Sequence, residues 1–287
     1  MKKILLIISF GLVYVFANTI DVTVSILPQK YFVEQIAQDK AIVNVMVKPG
    51  FSPATYEPQS SQMKLLTKSK AYFSIGVPFE GAWLHKFEST NKNMLMVDTS
   101  RGVKKQEIEE HDHHEETHNE ENHHEESGDP HIWLDPMLVK IQAKNIYETL
   151  IKLDAKNKDF YKKNYDVFLN DLDNLDIKLA NILKPIQKSS FMVFHPSWGY
   201  FASRYDLRQI VVEKEGKTPK LREMINLIQE SKKYGIKVIF VSPQFSQKAA
   251  TTIAKSINGK VLLIDHLSYS YSSNLLKIAK DIRNSYK

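Results

Sequence analysis

A chain of 287 residues with 43% hydrophobic composition is long enough to bury one large or two medium cores. It has no cysteine, which excludes disulfide staples and thiolate-bound metal and leaves any metal chemistry to His, Asp and Glu. The formal charge of +6 could suit nucleic acid, but no Arg-rich stripe, aromatic RNA motif or helix-turn-helix pattern accompanies it, so nucleic acid is set aside as a partner.

Lys2 and Lys3 precede an apolar run over 4–16, and Val15-Phe16-Ala17 offers a small-residue cleavage site. Residues 1–17 therefore read as a secretory signal peptide. The run is shorter than the roughly 20 residues a membrane span needs, and no cysteine follows it for lipid attachment. The expectation is an exported chain starting near Asn18, located in the periplasm.

Beyond the signal, strand and helix patterns alternate. A period-2 segment over 22–26 predicts a strand, and Pro28 opens a helix. Strands are predicted over 42–47, 72–75 and 94–98, with helices over 59–69 and 80–88. Four strands with intervening helices imply an α/β lobe with a mostly parallel sheet. After a long interruption, Pro136 begins a helix to about residue 153, and a second helical pattern runs over 156–183. At that length it would reach about 40 Å, enough for a rigid spine. Strands then return over 191–194, 209–212, 238–241 and 261–264, with helices over 200–205, 221–234, 247–257 and 275–285. The expected organisation is an N-terminal α/β lobe over 18–154, a linking backbone helix over 155–184 and a C-terminal α/β lobe over 185–287. Each lobe holds a four-stranded, mostly parallel sheet flanked by helices, with a metal cleft between the lobes.

The interruption is the tract EIEEHDHHEETHNEENHHEESG, residues 107–128, and six of the chain's ten histidines lie in it: His111, His113, His114, His118, His123 and His124. No Lys or Arg occurs between Lys105 and Lys140. Imidazole with carboxylate is the donor set a borderline divalent cation takes when no thiolate is offered. Such low-complexity sequence cannot bury a core and is expected to be a disordered loop that collects zinc at low affinity.

Four histidines lie outside the tract: His85, His131, His195 and His266. His131 sits in the octapeptide Asp129-Pro130-His131-Ile132-Trp133-Leu134-Asp135-Pro136. His195 directly follows the predicted strand 191–194, and Asp265 directly follows the strand 261–264. Ligands of open α/β sheets bind beyond the carboxyl ends of strands. His131, His195 and Asp265 are therefore the candidate metal ligands.

These residues stand in recognisable motifs: residues 50–58 (GFSPATYEP), 129–136 (DPHIWLDP), 193–201 (VFHPSWGYF), 240–245 (FVSPQF) and the segment around Asp265. In this order around a His- and acid-rich loop, the chain resembles the metal-binding solute-binding proteins of ABC transporters, especially the ZnuA-like zinc-uptake branch, over almost its whole mature length. The resemblance implies two α/β lobes joined by a long helix, one metal in the cleft, and His131 and His195 as ligands from opposite lobes with a carboxylate at Asp265. It implies Zn2+ as transported substrate, an inner-membrane permease with its cytoplasmic ATPase as partner, and a monomer rather than an enzyme. One departure stands out, because Ala54 occupies the place where the family's first motif carries a histidine. Water, bidentate Asp265, Glu57, His266 or a tract histidine are the candidates to fill it. Glu57 and Glu80 are otherwise read as supporting or structural carboxylates, and His85 as structural or exposed.

Two imidazoles and a carboxylate could also hold manganese or iron, which is the alternative within the same transporter class. A zinc-dependent hydrolase would need an open metal position and a nearby base, but no H-E-x-x-H, G-x-S-x-G or P-loop motif occurs. An adhesin or metal-storage role lacks a surface anchor or repeat to support it.

Overall fold

The computed structural model describes residues 19–107, 128–213 and 217–286. The predicted signal peptide and the six tract histidines lie outside them. Two sheets of four parallel strands form the frame. The first contains β1 (Ile20–Val24), β2 (Ala41–Val45), β3 (Ala71–Ser74) and β4 (Leu95–Asp98) in the order β2-β1-β3-β4. The second contains β5 (Ser190–Val193), β6 (Arg208–Val211), β7 (Val238–Val241) and β8 (Lys260–Leu263) in the equivalent order β6-β5-β7-β8.

Parallel pairing requires a crossover after each strand. In the first lobe these crossovers carry α1 (Leu27–Ala37), α2 (Ser60–Leu66) and α3 (Pro78–Thr90). In the second they carry α6 (Gly199–Arg204), α7 (Leu221–Lys233) and α8 (Lys248–Ser256). Helices on both faces bury the strands from both sides, so β5 and β7 are buried at every position rather than at alternate ones. The strand predicted over 22–26 ends earlier. The Ser25 and Ile26 amides donate to Gln29 Oε1 at 3.0 and 3.3 Å, turning the chain out of the sheet into α1.

Between the lobes run α4 (Pro136–Leu153) and the 26-residue α5 (Lys158–Leu183). The start of α4 is fixed by its sequence. Asp135 Oδ1 accepts the Met137 amide at 2.7 Å, and Pro136 supplies the first helical residue. Along α5 the apolar positions Tyr161, Phe168, Leu172, Leu175, Leu179 and Leu183 recur at helical spacing and are all buried.

That stripe belongs to one continuous core. It joins the first sheet, α4, α5, the closing helix α9 (Tyr271–Asn284) and the face of the second sheet bearing Phe191, Val193 and Phe240. The opposite face, with Met192, Ile210 and Ile239, has a separate core against α7 and α8. The period-2 alternation of strand side chains divides the two. Phe32 of α1 meets Phe168 of α5 at 5.9 Å and Tyr271 of α9 edge-on at 5.0 Å, so helices of both lobes share one aromatic knot. No helix among the described residues is long and apolar enough to cross a membrane.

Phe168 is 2% exposed within that knot. Phe168→Ala should lower stability by about 3–5 kcal/mol, seen as a lower urea midpoint at an unchanged slope. A shift worth under about 1 kcal/mol would mean that the knot is not a structural joint.

Candidate metal centre

Three imidazoles converge between the lobes: His131, His195 and His266, each offering a ligand atom within 4.8 Å of the others. Their ring centroids lie 5.3 to 5.8 Å apart. Two of the three come from the carboxyl ends of the second sheet, where parallel α/β folds place their ligands. His195 follows β5 and His266 follows β8. His131 arrives separately, on a strap of residues 128–131 leading into a short 3-10 turn, Ile132–Leu134.

Each ring is fixed through its Nδ1. His131 Nδ1 donates to Asp129 Oδ1 at 2.6 Å, and the same oxygen accepts the His131 backbone amide at 2.9 Å. His195 Nδ1 donates to Glu213 Oε1 at 2.5 Å. His266 Nδ1 meets Ser242 Oγ at 3.0 Å. The strand register makes the second and third pairs. Val193 is paired with Val211, so two residues further on His195 stands beside Glu213. Val241 is paired with Leu263, which brings Ser242 beside the β8 end. With Nδ1 engaged, Nε2 is the nitrogen left to face the cluster, and a carboxylate on Nδ1–H fixes the tautomer whose Nε2 lone pair can bind a metal.

Burial sets the charge state. His195 is held below its ordinary pKa chiefly by desolvation, which outweighs the opposing effect of its hydrogen bond to Glu213. His266 is held well below its ordinary value by desolvation, reinforced by repulsion from His131 and His195. Both rings are thus neutral at neutral pH, the form that binds a cation. The Phe245 ring stacks on His195 at 4.6 Å and the Trp133 indole on His266 at 6.4 Å, walling the site with apolar surface.

Asp265, expected at this place from the sequence, is not among the three converging residues. Its Oδ1 accepts the Leu267 amide at 3.0 Å and Gln244 Nε2 at 3.1 Å. It faces a narrow crevice between the lobes that Lys48 and Gly50 also line. The neighbouring His266 holds the position in the cluster. Glu57 and Ala54 are exposed on the loop before α2, and His85 is exposed on α3. Glu80 is 2% exposed and closes the turn between β3 and α3, accepting the Ile75 amide at 3.0 Å, the Gly76 amide at 2.7 Å and the Ser25 hydroxyl. Desolvation pushes its carboxyl up to about 7, against those hydrogen bonds.

Asp129, Glu213 and Ser242 were not singled out as ligand partners by sequence reasoning. Glu213 and Ser242 share one legible signal with His195, since all three are polar residues at or just beyond the ends of apolar strands in one sheet.

Two parallel-sheet lobes around a long helix, with anchored imidazoles meeting between them, define a metal-binding solute-binding protein of the ABC-transport class. The family described as "Zinc-uptake complex component A periplasmic" matches residues 22–285, and the chain belongs to it. The high-affinity zinc uptake system protein ZnuA of Bacillus subtilis is 29% identical over 254 residues, covering 87% of this chain and 79% of that protein. A crystal structure of ZnuA superposes with a TM-score of 0.86 at 39% identity, covering 94% of this chain and all of that one. A zinc-bound ZnuA mutant lacking residues 138–173 of its own numbering gives 0.84 at 40% identity, over 93% and 98% of the two chains. Members of this family bind metal for transport and are not enzymes, so the hydrolase alternative falls.

The lowered pKa values fix the sign of a pH effect. The unfolded chain takes up protons on His195 and His266 near pH 6.5, whereas the folded chain does so only at lower pH. These groups therefore cost folding stability as pH falls through about 6.5, until their lowered folded-state values are reached. Metal-free His266→Gln should lose part of the fall in unfolding free energy between about pH 7.5 and about pH 5. Urea titrations of both proteins at the two pH values measure it, and an identical fall in parent and variant would contradict the buried neutral state.

Proposed function

We propose that the chain is the periplasmic component of an ABC-type zinc uptake system, capturing Zn2+ at His131, His195 and His266 and delivering it to an inner-membrane permease with its cytoplasmic ATPase. The observation that carries this reading is an all-imidazole donor set whose three Nδ1 atoms are each engaged by a side-chain partner. Imidazole suits zinc, whereas manganese favours carboxylate, carbonyl and water oxygens. The relatives named for zinc agree with that choice.

Three imidazoles leave the fourth place of a tetrahedral zinc to be filled. Water, Glu57 or a tract histidine remain the donors for it, and Asp265 is the nearest carboxylate in sequence. The protein acts as a monomer in the periplasm after removal of the signal peptide. The tract bearing His111, His113, His114, His118, His123 and His124 collects zinc weakly, and its capture falls below about pH 6 as its imidazoles protonate.

Zinc titration against a competing chelator should find one tight site. His131→Ala, His195→Ala and His266→Ala should each weaken it by about 100-fold or more, exceeding the loss of an outer partner. Asp265→Asn should stay within a few-fold of the parent. If Asp265→Asn weakens the site as much as His266→Ala, the three-histidine set is wrong. Native mass spectrometry with equimolar Zn, Mn, Fe and Cu should show zinc bound, and preferential manganese or iron would overturn the zinc reading.

The carboxylate behind His195 gives a second test. Glu213→Gln keeps the shape but weakens the charge-assisted bond to Nδ1, and should cost about 10–100-fold in zinc affinity. Equal affinity in parent and variant would show that Glu213 does not tune the ligand.

A further inference from the structure

His195 and His266 follow β5 and β8, the strands on either side of β7 in one sheet, whereas His131 is carried by a strap outside both sheets. The one buried core shared by both lobes resists separation of the lobes as rigid bodies. Departure of a ligand is therefore easiest at the strap, and what holds the strap decides how readily it leaves.

Downstream of His131 the strap is secured by Trp133, which is fully buried and whose Nε1 donates to the His266 carbonyl at 2.7 Å. Upstream it is held by hydrogen bonds around one phenol. Tyr200, on α6 of the second lobe, donates its hydroxyl to the Asp129 carbonyl at 2.9 Å and accepts the Gln106 amide at 2.9 Å. The Gln106 carbonyl accepts the Asp129 amide at 2.7 Å, closing the triangle. Asp129 then grips His131 through its amide and its Nδ1. The neighbouring Gly199 lets the second lobe come this close. A Cβ there would stand 3.3 Å from Asp129 Oδ2 and 3.2 Å from Gln209 Nε2. Neutral hydrogen bonds are individually weak compared with a buried indole, so the upstream side yields first.

We propose that Tyr200 is a positioning residue for the metal: its hydroxyl latches the His131 strap to the second lobe, and opening of that latch sets the rate at which zinc leaves. The proposal rests on the three-histidine reading of the site. Tyr200 does not touch the metal, and it acts through Asp129 on His131.

The test uses the full chain loaded with zinc, mixed rapidly with excess chelator. Tyr200→Phe, which removes only the hydroxyl, should release zinc about tenfold faster while zinc association stays near the parent rate. The 15N imidazole signals of His131 should move, and those of His195 and His266 should not. In the His131→Ala background, Tyr200→Phe should add no further acceleration, because coupled residues are non-additive. Gly199→Ala, which presses a Cβ toward Asp129, should accelerate release like Tyr200→Phe. Parent-like release from both variants overturns the latch, as does equal acceleration with His131 already absent. A parent that binds no zinc overturns both the latch and the three-histidine site, whereas a zinc-binding parent with unaffected variants overturns the latch alone.

Discussion

A buried imidazole binds a metal well only when it is neutral and held in one orientation, and here what each Nδ1 meets sets the orientation. Asp129, Glu213 and Ser242 take the Nδ1 positions of His131, His195 and His266. Desolvation keeps His195 and His266 unprotonated. The second sheet exists, for this purpose, to set that geometry. Its all-parallel pairing brings the β5, β6, β7 and β8 carboxyl ends to one edge, and the β5–β6 and β7–β8 registers place Glu213 beside His195 and Ser242 beside the turn bearing His266.

Acidic side chains stand one layer out from the imidazoles. The buried carboxyl groups of Asp129 and Glu213 stand directly behind two of the three imidazoles. Buried anions are costly without a compensating cation, and Glu213 Oε2 has no hydrogen-bond partner among the described residues. A cation held by these imidazoles would offset that cost. The same arrangement links cargo to folding, because a ligand that binds only the folded state stabilises it.

Much of the frame was legible from local pattern. The strand-helix alternation, the Asp135-Pro136 start of α4 and the apolar spacing of α5 are short-range signals, and the structure has two four-stranded parallel sheets with a long helix between them. His131 and His195 were legible because each sits in a constrained motif. That His266 groups with them, and not the preceding Asp265, was not legible. Both are metal-competent neighbours just past β8, and which one faces inward depends on a turn in which Asp265 Oδ1 accepts the Leu267 amide. An aspartate capping a turn and an aspartate binding a cation look the same in sequence. Glu213 was hidden for another reason. It lies 18 residues from His195 and meets it only through the β5–β6 pairing. The replacement of the family histidine by Ala54 reads as a lost ligand, and only the three-dimensional grouping shows His266 standing with His131 and His195.

The central claim is that the cargo sits on three imidazoles, with His266 and not Asp265 as the third. Crystals of the zinc-loaded protein measured at the zinc absorption edge test it most directly. One strong anomalous peak should lie about 2.0–2.1 Å from Nε2 of each of His131, His195 and His266, with both Asp265 oxygens outside bonding distance. A peak bonded to Asp265 with His266 turned away would contradict it.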